Sequence, residues 1–295
     1  MPMRLCSTTR FGASPVTLAP GSEDLWRARG IRTLARDFAA GDFTGVPTDF
    51  DYVVHPGAWA GVGGIEPAPN EAIRINAEGT GLLMAHCRDA KAFLHVSTCG
   101  VYAHNPNPDH IYRESDSVSG GPIMLDYTAS KLAAEGAVRA MARVLNLPTS
   151  ICRLNMQYGP WGDCGSPNRR ILNNILKGLP IPVPPKGEGQ ARFSIVYNDD
   201  LIDFIEPCLI AADVPAIIVN WGGDEAVSFE EMARRMGALV GSEPRFETLS
   251  PYMIPSTITD NTFRKQIAGP CKVHWKDGFR EVVRFAHPEI AIRDS

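Results

Sequence analysis

Short apolar segments alternate with helix-forming stretches along the first half of this chain, and that alternation limits the fold more than any single residue does. Residues 3–9 alternate apolar and polar side chains, and residues 31–35, 51–55 and 93–97 are brief apolar runs. Residues 23–29 and 76–84 carry helical patterns between them. Parallel strands cannot be joined by a tight turn and need a crossover, usually a helix. Strand, helix, strand in repetition therefore predicts an α/β protein with a parallel sheet. No internal repeat argues for a solenoid instead.

The 295 residues leave room for one large α/β domain, or one domain with a small lobe. A net charge of −4 gives no electrostatic case for nucleic acid or an acidic membrane surface, so neither is expected as a partner. No apolar run approaches the roughly 20 residues of a membrane span. The first ten residues lack the apolar stretch of a signal peptide. Cys6, Cys87, Cys99, Cys152, Cys164, Cys208 and Cys271 are odd in number and scattered, with no Cys-x-x-Cys pair. That excludes a zinc-site spacing and a disulfide framework, so no metal is expected and the thiols read as reduced and cytoplasmic.

Chemistry concentrates in Tyr127-Thr128-Ala129-Ser130-Lys131. A Tyr and a Lys four apart share one helix face. A nearby ammonium lowers a phenol's pKa and holds part of it as phenolate near neutrality. A hydroxyl brought from Thr98 can then orient a substrate alcohol or carbonyl. This is machinery for moving a proton while a hydride moves.

Other motifs fall in a recognisable order around that pair. They are the strand 51–55, the helix opening Asn76-Ala77-Glu78-Gly79-Thr80, the strand and loop 93–102 with Ser97-Thr98, the strand 149–153, and Tyr158-Gly159-Pro160. Together they resemble the extended short-chain dehydrogenase/reductase superfamily, the NAD-dependent epimerase/dehydratase family. The resemblance runs from about residue 3 to the C-terminus. It implies a Rossmann-like sheet with a small C-terminal substrate lobe: 1–160 and 192–222 for the dinucleotide, 161–191 and 223–295 for the substrate. It further implies NAD or NADP as cofactor, a small-molecule substrate, and redox or epimerase chemistry on a secondary alcohol or ketone. A homodimer is compatible with it.

The resemblance also distributes roles. Tyr127 is the general acid or base, Lys131 tunes it and reaches the nicotinamide ribose, and Thr98 steadies the reacting oxygen. Asp37 and Phe38 match the pair that contacts adenine, and Asn76 the helix Asn near the active site. Arg10, at the end of the first strand segment, favours the 2′-phosphate of NADP. Asn155 and Arg192 fall at substrate-contact positions, although Met156 stands where an Asn is common. Cys99-Gly100 replaces the Asp-Glu pair that eliminates water in sugar-nucleotide 4,6-dehydratases, which disfavours that reaction. His55 and His95 read as structural residues at strand ends.

A dinucleotide fold should open with a strand, a Gly-rich turn and a helix whose N-terminus receives the pyrophosphate. By the family pattern residues 3–10 align with the second strand, so about thirty residues, with the central strand and phosphate cradle, are expected to be missing ahead of them. Dinucleotide binding by these 295 residues is then expected to be weak, and a binding module without turnover is the alternative reading. The Gly57–Gly64 cluster reads as a loop beside the site. Without a central strand, the second and fourth strands would meet directly or leave a gap.

Further along, residues 170–177 predict a helix, 178–187 a Pro-rich connection, 192–197 a strand, and 198–200 an acidic helix start. Residues 216–220 predict a strand, Ser228-Phe229-Glu230-Glu231 a capping box, and 273–283 a closing strand and helix.

Overall fold

The computed structural model describes residues 5–7, 34, 36–60, 69–120, 124–160, 167–185, 190–249 and 255–293. Its central element is a five-stranded sheet in the order Leu5–Ser7, Tyr52–His55, Ala92–Thr98, Thr149–Leu154, Ile217–Trp221. The first three strands pair in parallel, with Cys6 opposite Val53, Val53 opposite Phe93 and His55 opposite His95. The segments at 5–7 and 52–55 thus meet directly. Val53, Phe93, Leu94 and Ile151 are fully buried, as in a parallel sheet covered on both faces.

Contacts divide the chain into two units. The first holds residues 1–97, 124–151 and 209–217; the second holds 98–123, 152–208 and 218–295. In the first, the helix at 76–84 starts earlier than its sequence pattern suggests. It runs Pro69–Ile73, widens into a π-turn over Arg74–Glu78, and resumes as Gly79–His86. The long helix Leu125–Leu145 packs on all three segments. Gly79 lets this helix approach the Phe38–Ala40 turn: a Cβ there would lie 3.0 Å from two carbons of the Phe38 ring.

In the second unit, residues 192–197 are two strands rather than one. Arg192–Ser194 pairs antiparallel with Ala226–Ser228, and Val196–Tyr197 pairs in parallel with Gln157–Tyr158. The Pro-rich connection contains a strand, Pro180–Val183, alongside Arg245–Thr248. Pro is tolerated there because this two-stranded sheet has only edges, where a missing N–H can go unused. The helix at 170–177 runs Pro167–Leu176. Asp199 and Asp200 open the helix Asn198–Asp203, and Ser228 with Glu231 closes a reciprocal capping box on Phe229–Val240. The final segment forms only the helix Trp275–Ala286, capped by His274; Val273 is in no strand, because its N–H is taken by the Asp200 carboxylate. The unit's core joins Leu172, Phe193, Met232, Met236, Leu239 and Phe279.

Candidate active site

The long helix begins just before Tyr127, and its first two turns carry the Tyr–Lys pair. The two side chains meet different surroundings. Tyr127 is half-buried, its ring against a small cluster of Ala39, Trp59, Ala72 and Ile75. Lys131 is 1% exposed and points into the sheet. Its Nζ donates to the Val96 carbonyl oxygen at 2.6 Å and lies 3.3 Å from Nε2 of His95. Burial pushes the Lys131 amine down to about 7, against an upward pull from Glu135 one turn along.

Polar groups continue beneath the amine. Ser97 Oγ donates to Glu135 at 2.6 Å. Thr80 Oγ1 donates to the Asn76 carbonyl at 2.6 Å, so at its 2.9 Å contact with His55 Nε2 the ring is the donor. His55 and His95 are fully buried with ring centroids 5.5 Å apart. Burial first, then the nearby Lys131 charge, drives His55 down to about 3 and His95 well below the usual imidazole range. Both rings are neutral at pH 7. His95 lies in mid-strand rather than at an end, and its Nδ1 has no hydrogen-bond partner among the described residues.

Asn76 is 1% exposed inside the π-turn. Its Oδ1 accepts from the Trp59 N–H at 2.6 Å, and its Nδ2 donates to the Trp59 carbonyl and to Ser130 Oγ. Ser130 in turn donates to the Tyr127 carbonyl at 2.8 Å. Asn76 therefore ties the loop after the second strand to the turn that carries Tyr127. Asp37 caps the Phe38–Ala40 turn through the Ala40 N–H, and Phe38 is buried edge-on to His55. Arg10 and residues 61–64 of the Gly cluster lie outside the described residues; Ala58 and Trp59 of that cluster are buried.

Thr98, Asn155 and Arg192 belong to the second unit. Thr98 Oγ1 accepts from the Gly100 N–H at 3.2 Å, capping the turn Cys99–Val101. Cys99 is a poor acid or base, its thiol raised to about 12 by burial. Asn155 is buried, with Nδ2 on the Thr257 carbonyl, and Arg192 Nη2 donates to the Ala226 carbonyl at 2.8 Å. In the sequence Ser97 reads as a packing neighbour of Thr98 and His95 as structural, and Ser130 and Glu135 carry no expected role. The available signal was spacing: Ser130 precedes Lys131 and Glu135 follows it by one helical turn.

A parallel α/β sheet whose long helix offers a Tyr and, one turn on, a buried Lys defines a class of nucleotide-cofactor enzymes. A model of the NAD dependent epimerase/dehydratase family matches residues 30–220 of the 295, and this chain belongs to that family. It is 28% identical over 228 residues to a dTDP-glucose 4,6-dehydratase of Escherichia coli, covering 69% of this chain and 62% of that protein. It is 24% identical over 264 residues to a probable UDP-glucuronate 4-epimerase of Rhizobium meliloti, covering 82% and 75%. A trifunctional Arabidopsis thaliana dehydratase/epimerase/reductase is matched over 32% of its length, so the chain spans only part of several relatives. Among solved structures, UDP-glucuronic acid 4-epimerase from Bacillus cereus in complex with NAD superimposes with a TM-score of 0.80 at 20% identity, over 97% of this chain and 88% of that one. MoeE5 in complex with UDP-glucose and NAD gives 0.77 at 20%, over 97% and 99%. At such identities the superpositions establish the fold.

Tyr127 and Lys131 leave one helix a turn apart, the phenol ring half-buried and the amine enclosed. The amine itself is engaged by Val96 and His95. Among the described residues no group of three or more His, Cys, Asp or Glu could hold a metal, and no helix is long and apolar enough to cross a membrane.

Proposed function

We propose that this chain carries out NAD(P)-dependent oxidoreductase or epimerase chemistry on a secondary alcohol or ketone of a sugar-nucleotide-like substrate. The observation that carries this reading is the half-buried Tyr127 one helical turn before a buried, weakly basic Lys131. Tyr127 takes or gives the hydroxyl proton, Lys131 supplies positive charge that favours its phenolate, and Thr98 orients the oxygen. The bound cofactor supplies the hydride acceptor and donor. Asp37, Phe38 and Asn76 are assigned to the cofactor side, Asn155 and Arg192 to the substrate side. By function the chain divides into residues 1–160 and 192–222 for the cofactor and 161–191 and 223–295 for the substrate. Cys99 and Gly100 leave no acid pair at that place, which favours epimerisation or simple redox over 4,6-dehydration.

The test is turnover of UDP-glucose and UDP-glucuronic acid with NAD and NADP, followed by absorbance and product stereochemistry. Tyr127→Phe should lose about 10²–10⁴-fold in turnover, as expected for a positioned acid–base group, and Thr98→Ala should lose less. A Phe variant with wild-type turnover rules the assignment out. Arg10 predicts a preference for NADP, read as the ratio of Kd for NADPH and NADH in wild type and Arg10→Ala; an unchanged ratio removes that role. A binding module without turnover is the second reading, favoured by the amine of Lys131 being engaged by the protein's own acceptors. Calorimetric binding of a dinucleotide or sugar nucleotide with no turnover would select it.

A further inference from the structure

We propose that His95 is a positioning residue for Lys131: its ring and the Val96 carbonyl together seat the helix amine inside the sheet and decide in which protonation state it stays there. This rests on the proposed reading of Lys131 as part of the site, and extends it to how the site is regulated by pH. A lysine normally carries its charge out to water along its flexible stem. Here the stem runs inward and the amine ends at two acceptors, 2.6 Å and 3.3 Å away, with 1% of the residue exposed.

The seat does not serve both protonation states equally. A charged amine has three N–H donors and finds two acceptors. A neutral amine has two N–H donors, which the same two acceptors take in weaker, uncharged bonds, so Val96 O and His95 Nε2 favour the charged form against burial. Titratable groups near the seat are His55 from the second strand, His95 from the third, and Glu135 and Tyr127 from the helix itself; Asn76 and Thr80 add only neutral dipoles. Both imidazoles are neutral near pH 7, so the opposing influences on the amine are burial and the Glu135 carboxylate. The consequence is a site whose charge beside the Tyr127 turn switches near neutrality. Above the switch the amine gives the phenol no electrostatic help; below it, the amine does.

The experiment is an NMR pH titration of the chain carrying ¹³C- and ¹⁵N-labelled lysine, with no cofactor or substrate added. The signal missing from Lys131→Arg identifies Lys131. In wild type it should titrate near neutrality, apart from the other lysines. His95→Leu removes an acceptor from the charged amine and should lower that midpoint by about one pH unit or more, the effect of losing a hydrogen bond to a charged group. His95→Gln should restore most of it, since its amide oxygen can accept. His95→Asn, too short to reach, should repeat the Leu shift and replaces that variant if it does not fold. A Lys131 signal titrating with the others near the ordinary value of about 10.4 overturns the proposal, as does one midpoint shared by wild type and the folded variants. The titration is read without turnover, so an inactive chain with a seated amine would reject the proposed activity and leave the seat standing.

Discussion

Each of the two units buries a cation, and they solve the problem in opposite ways. Arg264 in the second unit has no exposed surface; both its terminal nitrogens are answered, while its Nε has no hydrogen-bond partner among the described residues. It pairs with Asp224, donates to the carbonyls of Gly269 and Gly222, and stacks 4.6 Å over the Phe204 ring. Burial works to raise the Asp224 carboxyl, but Arg264 beside it prevails and holds it below the usual range. Lys131 in the first unit is as deeply buried but bonds a carbonyl and an imidazole that is neutral at pH 7, and the Glu135 carboxylate only partly offsets its burial. A cation paired with a carboxylate holds a fold together; one whose burial is only partly offset has a pKa that its surroundings can move.

Breaking the compensated site should have the largest effect. Asp224→Ala leaves Arg264 buried without its carboxylate and should cost about 3–5 kcal/mol in denaturant unfolding. A loss under about 1 kcal/mol would mean that the carbonyls suffice.

Lys131→Met should do the reverse. It removes a poorly solvated charge and fills the space with an apolar chain, so stability at pH 6 should rise by about 1–3 kcal/mol while turnover collapses. The amine's folded value of about 7 lies below its unfolded value of 10.5, so the unfolded chain holds more protons between those limits. Wild-type stability should therefore climb relative to Lys131→Met from pH 7 towards 10, by up to about 1.4 kcal/mol per pH unit. Parallel stability curves for the two proteins would place the amine in water.

The smallest effect is expected from Glu135→Gln. The carboxylate pulls the Lys131 pKa upward against burial, so neutralising it should lower the amine's midpoint further. A midpoint that rises instead would mean that Glu135 acts on the seat by some route other than its charge.

Local signals made much of this readable in sequence. The strands at 52–55 and 92–98, the capping box at Ser228, and the acidic start at Asn198 are written in side chains that act on their nearest neighbours. The Tyr127 and Lys131 spacing was equally visible. The direction of the Lys131 side chain was not, because it depends on Val96 and His95, 35 and 36 residues away. His95 looked like an ordinary strand residue, since nothing within its own strand marks it as the amine's neighbour. The strand at Pro180–Val183 was hidden by its prolines, whose effect depends on the pairing edge and not on the run itself. Asn155 and Arg192 were legible as polar positions; their bonds to Thr257 and Ala226 are set by strands far along the chain.

The π-turn at Arg74–Glu78 makes the length of its helix matter as much as its composition. Gly79 N–H reaches back to the Arg74 carbonyl, one residue further than an α-helix would. Deleting one residue between them would make that same bond an ordinary α-helical one and leave Gly79 and the residues beyond on their present face. Deleting a second would rotate everything beyond by about 100° relative to what precedes. Gly79 would then turn away from Phe38, and Thr80 would leave His55. The segment is thus a ruler with one graduation to spare: a gene that lost one codon here should keep its side chains in register, and one that lost two would misfile every side chain beneath the long helix at once.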